Sequence, residues 1–205
     1  FYDGNLYVTG ADGSLNQLDA VTGASQWTVS GNFEGKPIIS KKTVLVKDST
    51  KGLCAFSLSG KAQWCNNNIS PLNIGGTLSV VRSRFIDKNV FVQDTKYNLY
   101  KVSLVNGKEQ WTVSDILPPA NGGTYQNIYI TGGKNSLYAY NGTAVVKINT
   151  FGSVTVISKA SANSYGGALC LSGSETTLYN LNDAFNFQII DLASGTTSTV
   201  TSSGN

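Results

Sequence analysis

The chain has 205 residues, enough for one large all-β domain with a full core. Hydrophobic residues make up 40% but charged residues only 13%, and Gly, Ser, Thr and Asn fill the gap, a mixture that suits turns and strands rather than helices. The net charge of +3 comes from scattered basic residues without a stripe of interleaved aromatics, which excludes a nucleic-acid surface, and no apolar run approaches the ~20 residues of a membrane span.

Taken in chain order, the first predicted strand holds Leu6 and Val8 among polar neighbours, the alternation of a strand with one buried face. Ala11-Asp12-Gly13 makes a hairpin turn, and Leu15 to Leu18 returns as the next strand. Asp19-Ala20-Val21-Thr22-Gly23 closes a second turn, with Asp bonding its own backbone and Gly in the left-handed position. The strand that follows carries Trp27.

The same steps recur. Leu6, Leu15, Gly23 and Trp27 are matched by Val90, Leu99, Gly107 and Trp111 without slippage. A copy one residue shorter at the turn runs Val44, Leu53, Gly60 and Trp64. Two degenerate copies lack the Trp: Ile128 with Leu137 and a turn at Asn141-Gly142, then Leu178 with Phe187 and Gly195. The starting points lie 38, 46, 38 and 50 residues apart, close to the ~40–50-residue period of propeller blades. Upstream apolar segments, Pro37-Ile38-Ile39-Ser40 and Leu78-Ser79-Val80-Val81, complete four strands per unit. Such sheets bury both faces by radial stacking, so the expected fold is an all-β propeller of four-stranded antiparallel blades. The units are residues 1–32, 33–70, 71–115, 116–160 and 161–205 of a single repeat domain. Trp27, Trp64 and Trp111, at fixed spacing in the repeat, are expected in the core between sheets rather than in a ligand-stacking set. Only five residues precede Leu6, which leaves four full blades and one incomplete blade. The missing initiator Met points to a processed chain or an excised piece, and a fragment of a larger propeller is favoured over an imperfectly closed five-bladed ring.

Cys54 and Cys65 flank a predicted hairpin and are a candidate disulfide, the alternative being two small buried hydrophobes. Cys170, in the apolar run Ala168-Leu169-Cys170-Leu171, is expected in the core. Asn68 and Asn141 head candidate N-glycosylation triplets. Together these tilt the expected location toward secreted or extracellular.

In these residues the chain resembles the pyrroloquinoline-quinone-type repeat of the quinoprotein alcohol dehydrogenase-like propellers. The matching stretch runs from Asp3-Gly4-Asn5-Leu6-Tyr7-Val8-Thr9-Gly10 through Leu18-Asp19-Ala20-Val21-Thr22-Gly23 to Trp27. It recurs in Leu99-Tyr100-Lys101-Val102 and in Asn106-Gly107 through Trp111. The resemblance implies blades with the Trp docked between adjacent sheets. Dehydrogenases of that family use eight blades, a bound calcium, a catalytic Asp and often a vicinal disulfide near the quinone. Here no two Cys are adjacent and the chain is too short for eight blades, so the resemblance is to the non-catalytic branch, which includes the outer-membrane assembly lipoprotein. No cofactor is expected.

Histidine is absent, which removes Ser-His-Asp and Cys-His catalysis and the commonest zinc clusters. The acids are nine Asp and three Glu. Asp12, Asp19 and Asp191 fall in repeat turns, and Asp48 and Asp94 fall four residues after Val44 and Val90, which reads as structure rather than paired-carboxylate chemistry. No segment clusters enough acids for calcium, and no metal site is expected. The leading expectation is a non-catalytic interaction or scaffold propeller, extracellular and part of a larger protein or assembly. Its partner is a protein or the remaining blades of a parent chain. The alternatives are a lectin using Tyr97, Asn98, Tyr125, Gln126 and Tyr165 on a glycan, and a degenerate quinoprotein or glycosidase-type enzyme.

Overall fold

A computed structural model describes residues 1–69, 88–94, 98–114, 129–133, 135–140, 144–159, 167–182 and 187–200. Among them every regular element is a strand, and each sheet keeps its strands in chain order. The first sheet holds β1 (Asn5–Thr9), β2 (Leu15–Asp19) and β3 (Ser25–Val29). The second holds β4 (Phe33–Ser40), β5 (Thr43–Asp48), β6 (Gly52–Ser57) and β7 (Ala62–Asn66). The third holds β8 (Asn89–Gln93), β9 (Leu99–Ser103) and β10 (Glu109–Val113). Two further four-stranded sheets follow: β11 (Tyr129–Gly132), β12 (Ser136–Tyr140), β13 (Ala144–Asn149) and β14 (Val154–Lys159), then β15 (Gly167–Leu171), β16 (Thr177–Asn182), β17 (Phe187–Asp191) and β18 (Thr197–Val200). These five sheets are blades 1 to 5. Adjacent strands pair antiparallel, joined by short turns.

Two compact units divide the chain, the first with blades 1 to 3 and the second with blades 4 and 5. Period-two alternation assigns side chains to the two faces of each sheet, and the buried clusters show which faces meet. In the first unit Tyr7 and Leu15 of blade 1 pack with Val44, Val46, Cys54 and Phe56 of blade 2. Leu45, Leu53 and Ala55, on the other face of blade 2, pack with Val90, Val92 and Val102 of blade 3. In the second unit Tyr138, Tyr140 and Val145 of blade 4 pack with Leu178 and Ile190 of blade 5. Successive sheets stack face to face within each unit.

Leu6, Val44, Val90 and Leu178 each occupy the second position of β1, β5, β8 and β16. The degenerate fourth copy is displaced. Ile128 lies outside the described residues, and Leu137, expected to match Leu15 and Leu53, instead holds the second position of β12. Since β12 is followed by two more strands of its sheet, it corresponds to β5 and not to β6. The turn that marks the outermost hairpin of this blade is Asn149–Ser153, with Gly152 at φ +86°.

Cys170 corrects a second expectation. It is exposed, while Leu169 and Leu171 pack toward the blade 4–blade 5 core. Alternation along β15 sends the residue between two core leucines to the opposite face, which an unbroken apolar run conceals. Leu78 to Val81 and Asn141-Gly142 lie outside the described residues.

Candidate functional site

The tryptophans act as clamps between sheets. Trp27 on β3 donates its Nε1–H to the Leu58 carbonyl at 2.9 Å, in the turn between β6 and β7 of the next blade. Trp64 on β7 repeats this on the Leu104 carbonyl at 3.0 Å, between β9 and β10. Each ring lies against a turn glycine at positive φ: a Cβ at Gly60 would stand 2.8 Å from Trp27 Cδ2, and one at Gly107 would meet the six-membered ring of Trp64. Only a residue without a side chain leaves room for the indole. Beside the second clamp, Asn66 Nδ2 donates to the Gly107 carbonyl at 2.7 Å. Trp111 is half-buried, its ring 5.6 Å from that of Phe91. In the second unit β14 carries no Trp, and the Ile157 carbonyl and Cγ2 face Gly195, while the hydroxyls of Ser158 and Thr197 meet at 2.9 Å.

Carboxylates build the turns. Asp19 Oδ1 accepts from the N–H of Val21 and Thr22 and from the Thr22 hydroxyl, at 3.0, 2.7 and 2.8 Å. Asp191 makes the same set with Ala193 and Ser194 at 3.1, 2.7 and 2.7 Å. These bonds, with the backbone N–H of Thr22 and of Ser194 foremost, hold both carboxyls below their ordinary range. At Asp48 burial opposes ionisation, yet the bonds from Thr50 and Lys51 outweigh it and the carboxyl again lies low. Asp94 accepts from the N–H and Nδ2 of Asn98 at 2.9 and 2.8 Å, and from the Tyr100 hydroxyl at 2.8 Å. These acids brace backbone. The low carboxyls of Asp19, Asp48 and Asp191 are the opposite of the raised one that a general acid needs.

A polar, open cleft of about 480 Å³ lies where the β1–β2 turn of blade 1 faces the start of β4. Asp12, Asn32, Glu34 and Ser49 contribute to its lining. Asp12 accepts from the Ser14 hydroxyl at 2.6 Å and the Ser14 N–H at 3.0 Å, which hold its carboxyl low. Glu34 pairs with Lys47 at 2.8 Å. Among the described residues no three His, Cys, Asp or Glu side chains come together as a metal-binding group.

Cys54 and Cys65 are disulfide-bonded, directly opposed in the β6–β7 register with Cα atoms 4.1 Å apart. Asn68 is exposed, while Asn141 lies outside the described residues. So do Tyr97, Tyr125, Gln126 and Tyr165 of the lectin set, and Asn98 is engaged by Asp94.

Two sheet faces are open instead. Leu6 and Val8 of blade 1 are 38% and 37% exposed, whereas their counterparts Val44 and Val46 in blade 2 and Val90 and Val92 in blade 3 are fully buried. In blade 5, Leu181, Phe187 and Val200 are paired across β16, β17 and β18 and are 41%, 39% and 54% exposed. Tyr179 stacks on Phe187 with ring centroids 5.7 Å apart. The sequence does not single these side chains out, since their alternation is that of buried strands. Among the described residues no helix is long and apolar enough to cross a membrane.

The chain is similar to BamB from Moraxella catarrhalis, with 17% identity and a TM-score of 0.66 over 96% of this chain and 58% of that one. A computationally designed protein, Ika8, matches at 11% identity and a TM-score of 0.60, over 98% of this chain and 59% of that one. The dihydro-heme d1 dehydrogenase NirN, in complex with DHE, matches at 14% and 0.61, over 98% and 44%. This chain thus spans less than two thirds of the length of each of the three. No curated protein matches the sequence. A sequence model of the family described as outer membrane protein assembly factor BamB matches residues 1–199. With its stacked antiparallel sheets of up to four strands, the chain belongs to that family of β-propellers.

Proposed function

We propose that this propeller is a non-catalytic interaction module that docks protein through its open blade faces, as part of a larger assembly. The carrying observation is the contrast between Leu6 and Val8, open to solvent, and the buried residues at the same positions of blades 2 and 3. A repeat face built for burial and left open is an association surface. The family match supports a scaffold role, since BamB is described as an assembly factor. The missing histidine and the acids committed to turns support a role without catalysis. The Cys54–Cys65 disulfide supports a non-reducing compartment, in keeping with secretion, and Asn68 is accessible for a glycan there.

The test is photo-crosslinking in the native host from a benzophenone side chain at position 8 or 187, with exposed Val105 as the control position. A discrete protein adduct from the two faces and none from Val105 is expected. Equal labelling from all three positions, or none from the faces, overturns the reading. A second reading, glycan binding, rests on the polar cleft beside Asp12 and Glu34, and a silent glycan array removes it.

A further inference from the structure

We propose that Cys65 is a site of reversible S-thiolation, at which a small thiol opens the Cys54–Cys65 disulfide by attaching to Cys65 while Cys54 stays in the core as a thiol. The inference goes beyond the docking reading and does not depend on it.

The two sulfurs sit in unlike surroundings. In the sheet order β4-β5-β6-β7, Cys54 lies on an interior strand and Cys65 on the outer edge. Cys54 is fully buried and packs with Tyr7, Leu15, Val44, Val46 and Phe56, whereas Cys65 is exposed. Thiol–disulfide exchange needs a thiolate in line with the S–S bond, behind the sulfur that it attacks. Behind Cys65 is the edge of the sheet. Behind Cys54 is its register partner on β5, Val46, which is itself fully buried. The surrounding segment 49–69 holds Lys51 and Lys61 and no Asp or Glu, so it does not repel an incoming anion.

The neighbouring blade shows that this position does not need a covalent bond. Thr28 follows Trp27 as Cys65 follows Trp64, and its register partner Asn16 matches Cys54. There the Thr28 hydroxyl donates to Asn16 Oδ1 at 2.7 Å, and a hydrogen bond closes the outer hairpin. Nor does β7 depend on the disulfide for its place. The residues on either side of Cys65 are anchored to blade 3, Trp64 on the Leu104 carbonyl and Asn66 on the Gly107 carbonyl. When the bond opens, Cys65 is therefore kept opposite Cys54.

The exchange balances with one thiol as co-reactant. Its sulfur, having given up a proton, forms a bond to Cys65 Sγ as the Cys54–Cys65 bond breaks. The electron pair of the broken bond leaves on Cys54 Sγ, which takes up the proton. The product thiol is neutral and behaves as a small hydrophobe among the apolar side chains around it. In the reverse step Cys54 attacks Cys65, re-forms the disulfide and expels the small thiol.

The test maps the first product. The intact protein, its Cys170 blocked with N-ethylmaleimide, is treated with excess reduced glutathione under native conditions. Samples are quenched in acid, alkylated while denatured, digested and read by mass spectrometry. At early times glutathione is expected on Cys65 and the alkyl group on Cys54, with Cys65 favoured at least about tenfold because access decides which sulfur is attacked. In denaturant the preference should fall toward parity. Removal of free glutathione should close the adduct back to the disulfide. Glutathione on Cys54 as often as on Cys65 in the native protein overturns the proposal. So does a preference undiminished in denaturant, an adduct that persists after glutathione is removed, or reduction without a mixed disulfide at any time.

Discussion

At the scale of single residues, the polar side chains of this propeller are spent on backbone. Asp12, Asp19, Asp48 and Asp191 each hold a turn through their carboxylates, and their order in the repeat made that role legible in the sequence. Asn98 was not legible. A surface amide beside a tyrosine reads as a glycan contact, and only coordinates place it on Asp94 together with the Tyr100 hydroxyl. Tyr100 carries a measurable consequence. Burial, reinforced by its hydrogen bond to Asp94 and the negative charge there, pushes its hydroxyl up to about 12 from an ordinary value of 10.0. A folded-state value above the unfolded one gives stability that is complete below pH 10 and lost as the pH climbs toward 12. Burial raises Tyr7 and Tyr138 as well, so the phenolate absorbance in alkaline titration should show a late step shared by several tyrosines, and Tyr100→Phe should shrink it by one. Tyr100→Phe should also cost about 1–2 kcal/mol at neutral pH, since a buried carboxylate loses a donor. A titration unchanged by the substitution would sink the assignment.

At the scale of the element, the unit of construction is the outer hairpin of one sheet and the side chain its predecessor lays across it. The sequence disclosed the three copies with tryptophan because an indole and a glycine at fixed spacing leave few other physical readings. It hid the fourth blade, where β14 carries no Trp and the landmark Leu137 sits one strand earlier than its spacing implies. A period read from single apolar residues slips by a strand when loop lengths change, because every strand of a blade offers a similar apolar residue. The glycines allow a controlled test of the clamp. Gly23 and Gly107 share a φ near +70°, so alanine imposes the same backbone strain at each, about 1–2 kcal/mol. At Gly107 the new methyl also meets the Trp64 ring, while at Gly23 it meets nothing. Gly107→Ala should therefore destabilise the protein by about 1–3 kcal/mol more than Gly23→Ala in denaturant titration, the usual cost of overpacking. Equal losses would mean that the indole does not rest on the glycine.

At the scale of the whole molecule, stacked sheets touch their neighbours in sequence, so a local perturbation should spread blade by blade and fade. The Cys54–Cys65 disulfide is the means to apply one. It crosslinks β6 and β7 in the middle sheet of the first compact unit, across a separation of 11 residues. In the chain-entropy account a loop of that size contributes about 2–3 kcal/mol. The second unit contains only the unpaired Cys170. Reduction under native conditions should thus speed amide exchange most in β6 and β7. A smaller rise should follow in β3 and β9, whose sheets share the buried clusters with blade 2. Trp27 and Trp64 are the clamps through which β7 and its neighbours hold one another, so Trp64→Phe, which removes the bond to Leu104, should uncouple β9 from the disulfide while leaving β3 responsive. Strands β15 to β18 should exchange as before. A uniform rise across all five sheets would show that the propeller opens as a single cooperative body and that the tryptophan clamps do not set the path of coupling.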